Sequence, residues 1–151
     1  MGQHGAASAA GTTWRLELSV PPDLSALADV RRSFDAVGLP PGVREDAQLL
    51  VTELVSNSIR HGELRAGERI RIRAAWTGCR LKVIVRDRDD GRPSRPVGIA
   101  GSIRPAPGAE SGWGLFIVNQ VASRWGAIHD GGPGYWFELH ASRPQVRDRN
   151  D

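Results

Sequence analysis

The chain has 151 residues, 40% of them hydrophobic, which is enough for one domain with a buried core. Its 20 basic and 17 acidic residues leave only +3, and the arginines are scattered among acids, so the pI near 9.9 does not mark a nucleic-acid binder. Cys79 as sole cysteine excludes a disulfide framework, histidines 4, 61, 129 and 140 lack paired metal-ligand spacing, and no apolar run nears the roughly 20 residues of a membrane span, so a soluble cytoplasmic protein is expected.

Residues 1–11, rich in Gly, Ala and Ser, are expected to stay disordered. Trp14, Leu16, Leu18 and Val20 alternate with Arg15, Glu17 and Ser19, which predicts an amphipathic strand closed by Pro21-Pro22. Asp23 is placed to cap a helix whose Leu27, Val30, Phe34 and Val37 form one face, with Gly38 as its stop. Pro40-Pro41-Gly42 breaks the chain before a longer helix that carries Glu45 and Asp46 in its first turn, where the helix dipole favours acids.

In that helix Ala47, Leu50, Val51, Leu54, Val55 and Ser58 recur at the spacing of a buried stripe. Glu53 and Asn57 lie one turn apart on its border. A carboxylate and an amide held there cost desolvation unless they are satisfied internally or face a ligand.

After His61-Gly62, Ile70, Ile72 and Trp76 alternate with arginines 69, 71 and 73 in a strand, and Thr77-Gly78 turns into a second strand from Leu81, an antiparallel hairpin. That second strand ends in Asp87, Asp89, Asp90 and Gly91, and a carboxylate leaving a strand end can accept a hydrogen bond from an exocyclic amine. Residues 88–111 are rich in Gly and Pro and too long for an ordinary connector. Gly112 and Gly114 then lead into a helix carrying Leu115, Val118 and Val121 and running to Arg124, so free N–H groups at its start form a ready anion site. Segments near Trp125 to Asp130 and Gly134 to His140 read as closing strands, with Tyr135, Phe137 and Leu139 turned inward, before a charged tail over 141–151. The expected fold is α+β, a two-layer sandwich of a mixed, mainly antiparallel sheet covered on one face by helices, with residues 12–140 as its one domain.

In order and spacing, the helix at 45–62, the strand and acidic turn at 81–93 and the glycine-led helix at 110–126 resemble the GHKL (Bergerat-fold) ATPase superfamily, and Thr-Glu-Leu-Val-Ser-Asn-Ser-Ile-Arg-His-Gly at 52–62 resembles most the small anti-sigma-factor serine/threonine kinases. The resemblance implies ATP and Mg²⁺ as cofactors, with Asn57 as the metal ligand and Glu53 as the catalytic carboxylate that, as general base, takes the proton of the attacking serine. It implies Asp87 as the adenine-reading acid, with Asp89 as the alternative. Gly91, Gly112, Gly114 and Leu115 complete the nucleotide-binding set, Gly112 and Gly114 offering backbone donors to the phosphates. Residues 88–111 would be the nucleotide lid, its arginines 92, 95 and 104 within reach of a terminal phosphate. The partners implied are a sigma factor and an anti-sigma-factor antagonist, without direct contact to nucleic acid or membrane, and such proteins are often homodimers.

The sequence departs from the pattern in the family's Asp-x-Gly-x-Gly turn. Counted from Asp87 its glycines become Asp89 and Gly91, and counted from Asp89 they become Gly91 and Pro93. A threonine expected near the base is replaced by Gly134. One missing hydrogen bond of about 0.5 to 1.5 kcal/mol would weaken ATP roughly two- to tenfold, which keeps open an alternative: a non-catalytic interaction module of the same fold.

Overall fold

The computed structural model describes residues 12–87, 107–108, 113–128 and 130–141. Along the chain run β1 (Thr13–Val20), α1 (Ala26–Asp35), α2 (Pro41–His61), β2 (Ile70–Thr77), β3 (Arg80–Arg86), α3 (Trp113–Val121), β4 (Arg124–Ile128) and β5 (Gly134–His140). The strands form one five-stranded sheet in the order β1-β2-β3-β5-β4, every pairing antiparallel. The three helices supply the second layer of the α+β fold.

Alternation decides which strand residues enter the core. Ile70, Ile72 and Trp76 of β2, Leu81, Val83 and Val85 of β3 and Phe137 of β5 are almost wholly buried. They meet Val30 and Phe34 of α1 and Leu50, Val51, Leu54 and Val55 of α2, all at 1% exposure or less. Each such side chain removed from water contributes about 1.5 to 3 kcal/mol, so the α2 stripe is what fixes the helix against the sheet. Once α2 is fixed, so is every polar group along its edge.

The helix ends differ from the sequence expectation. Asp23 does not cap α1: its Oδ1 accepts the Ser25 N–H at 2.8 Å, a local turn that sets the helix start at Ala26. That backbone bond is the first cause holding the Asp23 carboxyl below the usual carboxylate range, with the Ser25 side chain second. The helix ends at Asp35, before Gly38, because the chain turns at Leu39 N–H to Val37 C=O, 2.9 Å. Pro41 begins α2 rather than breaking it. At the first helical position its missing N–H is not needed and its fixed φ suits the helix, so Glu45 and Asp46 fall beyond the first turn. At the far end Arg124 belongs to β4, since α3 stops at Val121 and Ser123 N–H already bonds Glu138 C=O at 2.9 Å. The expected disordered residues 1–11 and nearly all of the tail at 141–151 lie outside the described residues.

Candidate functional site

The C-terminal half of α2 holds one end of a strand and the start of a helix at two fixed points. Asp87 leaves β3 with its N–H on Pro133 C=O at 3.0 Å. Its carboxylate is received by α2: Ser58 Oγ donates to Asp87 Oδ1. On the same side a Cβ added at Gly62 would lie 2.9 Å from Asp87 Oδ2 and 2.4 Å from Ser58 O. Gly62 itself has an ordinary right-handed φ of −76°, and Glu63 takes the left-handed turn at φ 49°. Glycine at 62 therefore serves both the closing turn of α2, whose Ser58 carbonyl is nearest, and the close approach of the carboxylate.

The other fixed point is Glu53. A Cβ on Gly114 would sit 3.0 Å from Glu53 Oε2 and 3.8 Å from its Cβ, so α3 starts directly against the Glu53 side chain. Any larger residue at 114 would push carboxylate and helix start apart. Glu53 and Ser58 are five residues apart, about 7 Å along the helix axis at 1.5 Å per residue, with Asn57 between them. Glu53 and Asn57 are both half-buried, and among the described residues neither side chain has a hydrogen-bond partner. That leaves a carboxylate and an amide without internal hydrogen bonds along one helix border, between the contacts to Asp87 and to Gly114.

The sequence-derived set thus divides. The structure brings Glu53 beside Gly114, and Asp87 onto α2 one residue from Asn57; Leu115, the third residue of α3, is half-buried and packed against the core. Asp89, Gly91 and Gly112 lie outside the described residues, as do arginines 92, 95 and 104 and all of the expected lid except Pro107 and Gly108. Two contributors had not been singled out. Periodicity places Ser58 only in the buried stripe, although a hydroxyl on an otherwise aliphatic stripe signals a buried acceptor. Tyr135 is 6% exposed, and its hydroxyl pKa is raised first by burial and second by the charge of Asp87.

Gly134 has a structural cause. A Cβ there would lie 2.2 Å from Val85 O and 3.0 Å from Arg86 Cα, so β3 and β5 pair too closely at this point for any side chain. A threonine cannot be accommodated without moving the strands.

The arrangement can be tested against a nucleotide and its ion. Asp87, an acceptor-only group aimed by Ser58, suits an exocyclic amine. Asn57 supplies one hard oxygen, which fits Mg²⁺ held chiefly by phosphates and water. Among the described residues no cluster of His, Cys, Asp and Glu could cage a metal by itself. The sequence matches the family of the histidine kinase-like ATPase domain over residues 20–140. The chain belongs to that family. Membership carries ATP binding with it and agrees with the α+β architecture of this histidine kinase-like ATPase domain. Among curated proteins, none matches the chain. No helix among the described residues is long and apolar enough to cross a membrane.

Proposed function

We propose that this ATPase-family domain is a Mg-ATP-dependent protein serine/threonine kinase of the anti-sigma-factor type. It phosphorylates a serine on an antagonist protein and, when not so engaged, sequesters a sigma factor. The observation that carries the reading is the single helix α2 presenting Glu53 against Gly114 at one point and gripping Asp87 at another.

In this reading Asp87, oriented by Ser58 and given room by Gly62, accepts the adenine amine, while the start of α3 lies toward the phosphates. Asn57 would hold Mg²⁺, which would supply charge neutralisation at the phosphates. Glu53 accepts the serine proton as the hydroxyl oxygen forms a bond to the γ-phosphorus and the bond to the bridging oxygen breaks, leaving ADP. The seat of Glu53 beside Gly114 keeps that carboxylate where α3 begins.

The experiment is phosphate transfer from labelled ATP to the antagonist. Glu53→Ala is expected to stop transfer while Mg-ATP affinity, read by calorimetry, changes little. Nucleotide binding with no transfer to any antagonist sinks the kinase reading and leaves the second one, a non-catalytic module that acts by occupying its partner. Gly134 favours that second reading, because strand crowding denies the base a side-chain hydrogen bond there.

A further inference from the structure

The sheet face turned away from the helices carries chemistry that the α2 site does not use. Alternation along the sheet points Arg15, Arg71, Arg73, Arg80, Lys82 and Arg86 outward on β1 to β3, against Glu17 on β1 and Glu138 on β5, the latter opposite Lys82 and away from the end that holds Arg71 and Arg86. The whole chain carries only +3, so this face concentrates positive charge that the rest offsets. Register places Arg71 directly opposite Arg86, and Arg73 opposite Ile84. Like charges paired across a ladder are unfavourable by themselves. Here they border a cavity of about 190 Å³ lined by Arg71, Arg73, Ile84, Arg86 and Gly131.

The walls are built. Arg86 Nη1 donates to the carbonyls of Asp130 at 2.5 Å and Gly132 at 3.4 Å, neutral acceptors that orient the guanidinium without cancelling its charge. Gly131 has φ 74°, and a Cβ there would come within 3.2 Å of Arg86 Nη1, so glycine lets the β4–β5 turn close over the arginine. Glu17 Oε1 approaches Arg73 Nε at 3.2 Å, which shows the rim already receiving one carboxylate.

We propose that this cavity docks a carboxylate side chain from an acidic segment of a protein partner, on the face opposite the candidate nucleotide site. Its volume is below the roughly 300 to 1,000 Å³ of sites that enclose a small molecule, and suits one side chain. Guanidinium forks match a carboxylate, and Ile84 offers apolar contact to the methylenes of a glutamate. Nucleic acid fits less well. Trp136, the outward aromatic beside Ile84 in register, is covered by Lys82 Nζ at 4.8 Å from its centroid and flanked by Arg124 at 5.9 Å, so among the described residues of this face no aromatic ring stands open for base stacking. A second copy joined symmetrically through this face would set arginine against arginine. The inference does not depend on the reading of α2.

The test is a titration of the full, isotope-labelled chain with hexaglutamate, followed by amide chemical shifts. Saturable shifts are expected at Arg71, Arg73, Ile84, Arg86 and Gly131, weakening as salt rises from about 50 to about 300 mM. The double variant Arg71→Ala/Arg73→Ala should lower affinity by about tenfold or more, and Arg80→Ala, on the same face but outside the cavity, should change it little. If the double variant melts early, Arg73→Ala alone serves, with a smaller loss in the same direction. Shifts that never saturate, shifts centred on α2, unchanged affinity in the arginine variants, or equal or tighter binding of inorganic phosphate or of oligothymidylate would each overturn the proposal.

Discussion

The two faces of the sheet treat charge in opposite ways. On the helix-covered face a few polar groups sit at the border of an apolar core, and two are placed by a specific neighbour: Asp87 by the Ser58 hydroxyl, Glu53 by its close contact with Gly114. On the open face charge is plentiful and most of it solvated, as with Arg73 and Glu17, whose side chains keep 61% and 73% of their exposure. A carboxylate oriented beside a core is worth more per group than a surface pair, which contributes between zero and about 1 kcal/mol. Orientation on the first face favours chemistry on one ligand; summed charge on the second favours attraction of an oppositely charged partner.

Substitutions on one face should leave the other face's binding untouched, and the largest effect tests this most severely. Glu53→Ala should cut phosphate transfer by about 10²-fold or more, the usual worth of a general base, with hexaglutamate affinity unchanged. Asp87→Asn should follow, lowering Mg-ATP affinity by at least about tenfold in calorimetry, since an acceptor-only carboxylate becomes an amide that also donates. Ser58→Ala should cost less, about two- to tenfold in ATP affinity, because Asp87 keeps its charge and loses only one oriented hydrogen bond. Loss of hexaglutamate binding in any of these would mean that the faces are coupled.

The smallest effect is a titration. Tyr135 is the only tyrosine, so tyrosinate absorbance reads it alone. Its folded pKa lies above the ordinary value of 10.0, from burial first and Asp87 second. The unfolded chain therefore loses this proton before the folded one does. The associated stability is present below about pH 10 and is lost as pH rises through the folded value. Wild type should lose more melting temperature above pH 10 than Tyr135→Phe, by a degree or so at first, since a few tenths of a kcal/mol move a domain this size only slightly. In Asp87→Asn the tyrosinate should appear at lower pH; an unmoved titration would separate Tyr135 from that carboxylate.

Much of the covered face was legible in the sequence because periodicity is a local signal. The stripe from Ala47 to Ser58 and the alternations of β1, β2 and β5 are visible within a dozen residues; the α2, β2 and β5 sets are buried as the pattern implies, while Trp14, Leu16 and Leu18 of β1 are only half-buried at the sheet edge. The hinge points were less legible. Asp23 and Pro41 carry the right residue types for caps and breaks, but where a helix starts depends on which nearby turn forms first, and Ser25 and Pro40 took those positions. The reasons for Gly62, Gly114 and Gly134 are contacts with Asp87, Glu53 and Val85, separated by up to 61 positions and invisible to any local window. The open face was unreadable for a related reason: arginines 71 and 86 look scattered until register sets them side by side.

The two grips on α2 also make that helix a ruler. A residue inserted between Glu53 and Ser58 would turn everything beyond it by about 100° and slide it about 1.5 Å along the axis, leaving a perfectly good helix whose serine no longer faces the strand end. Variation here is therefore confined to swapping letters in place; changes of length should accumulate instead in the links on either side, where no such gauge is kept.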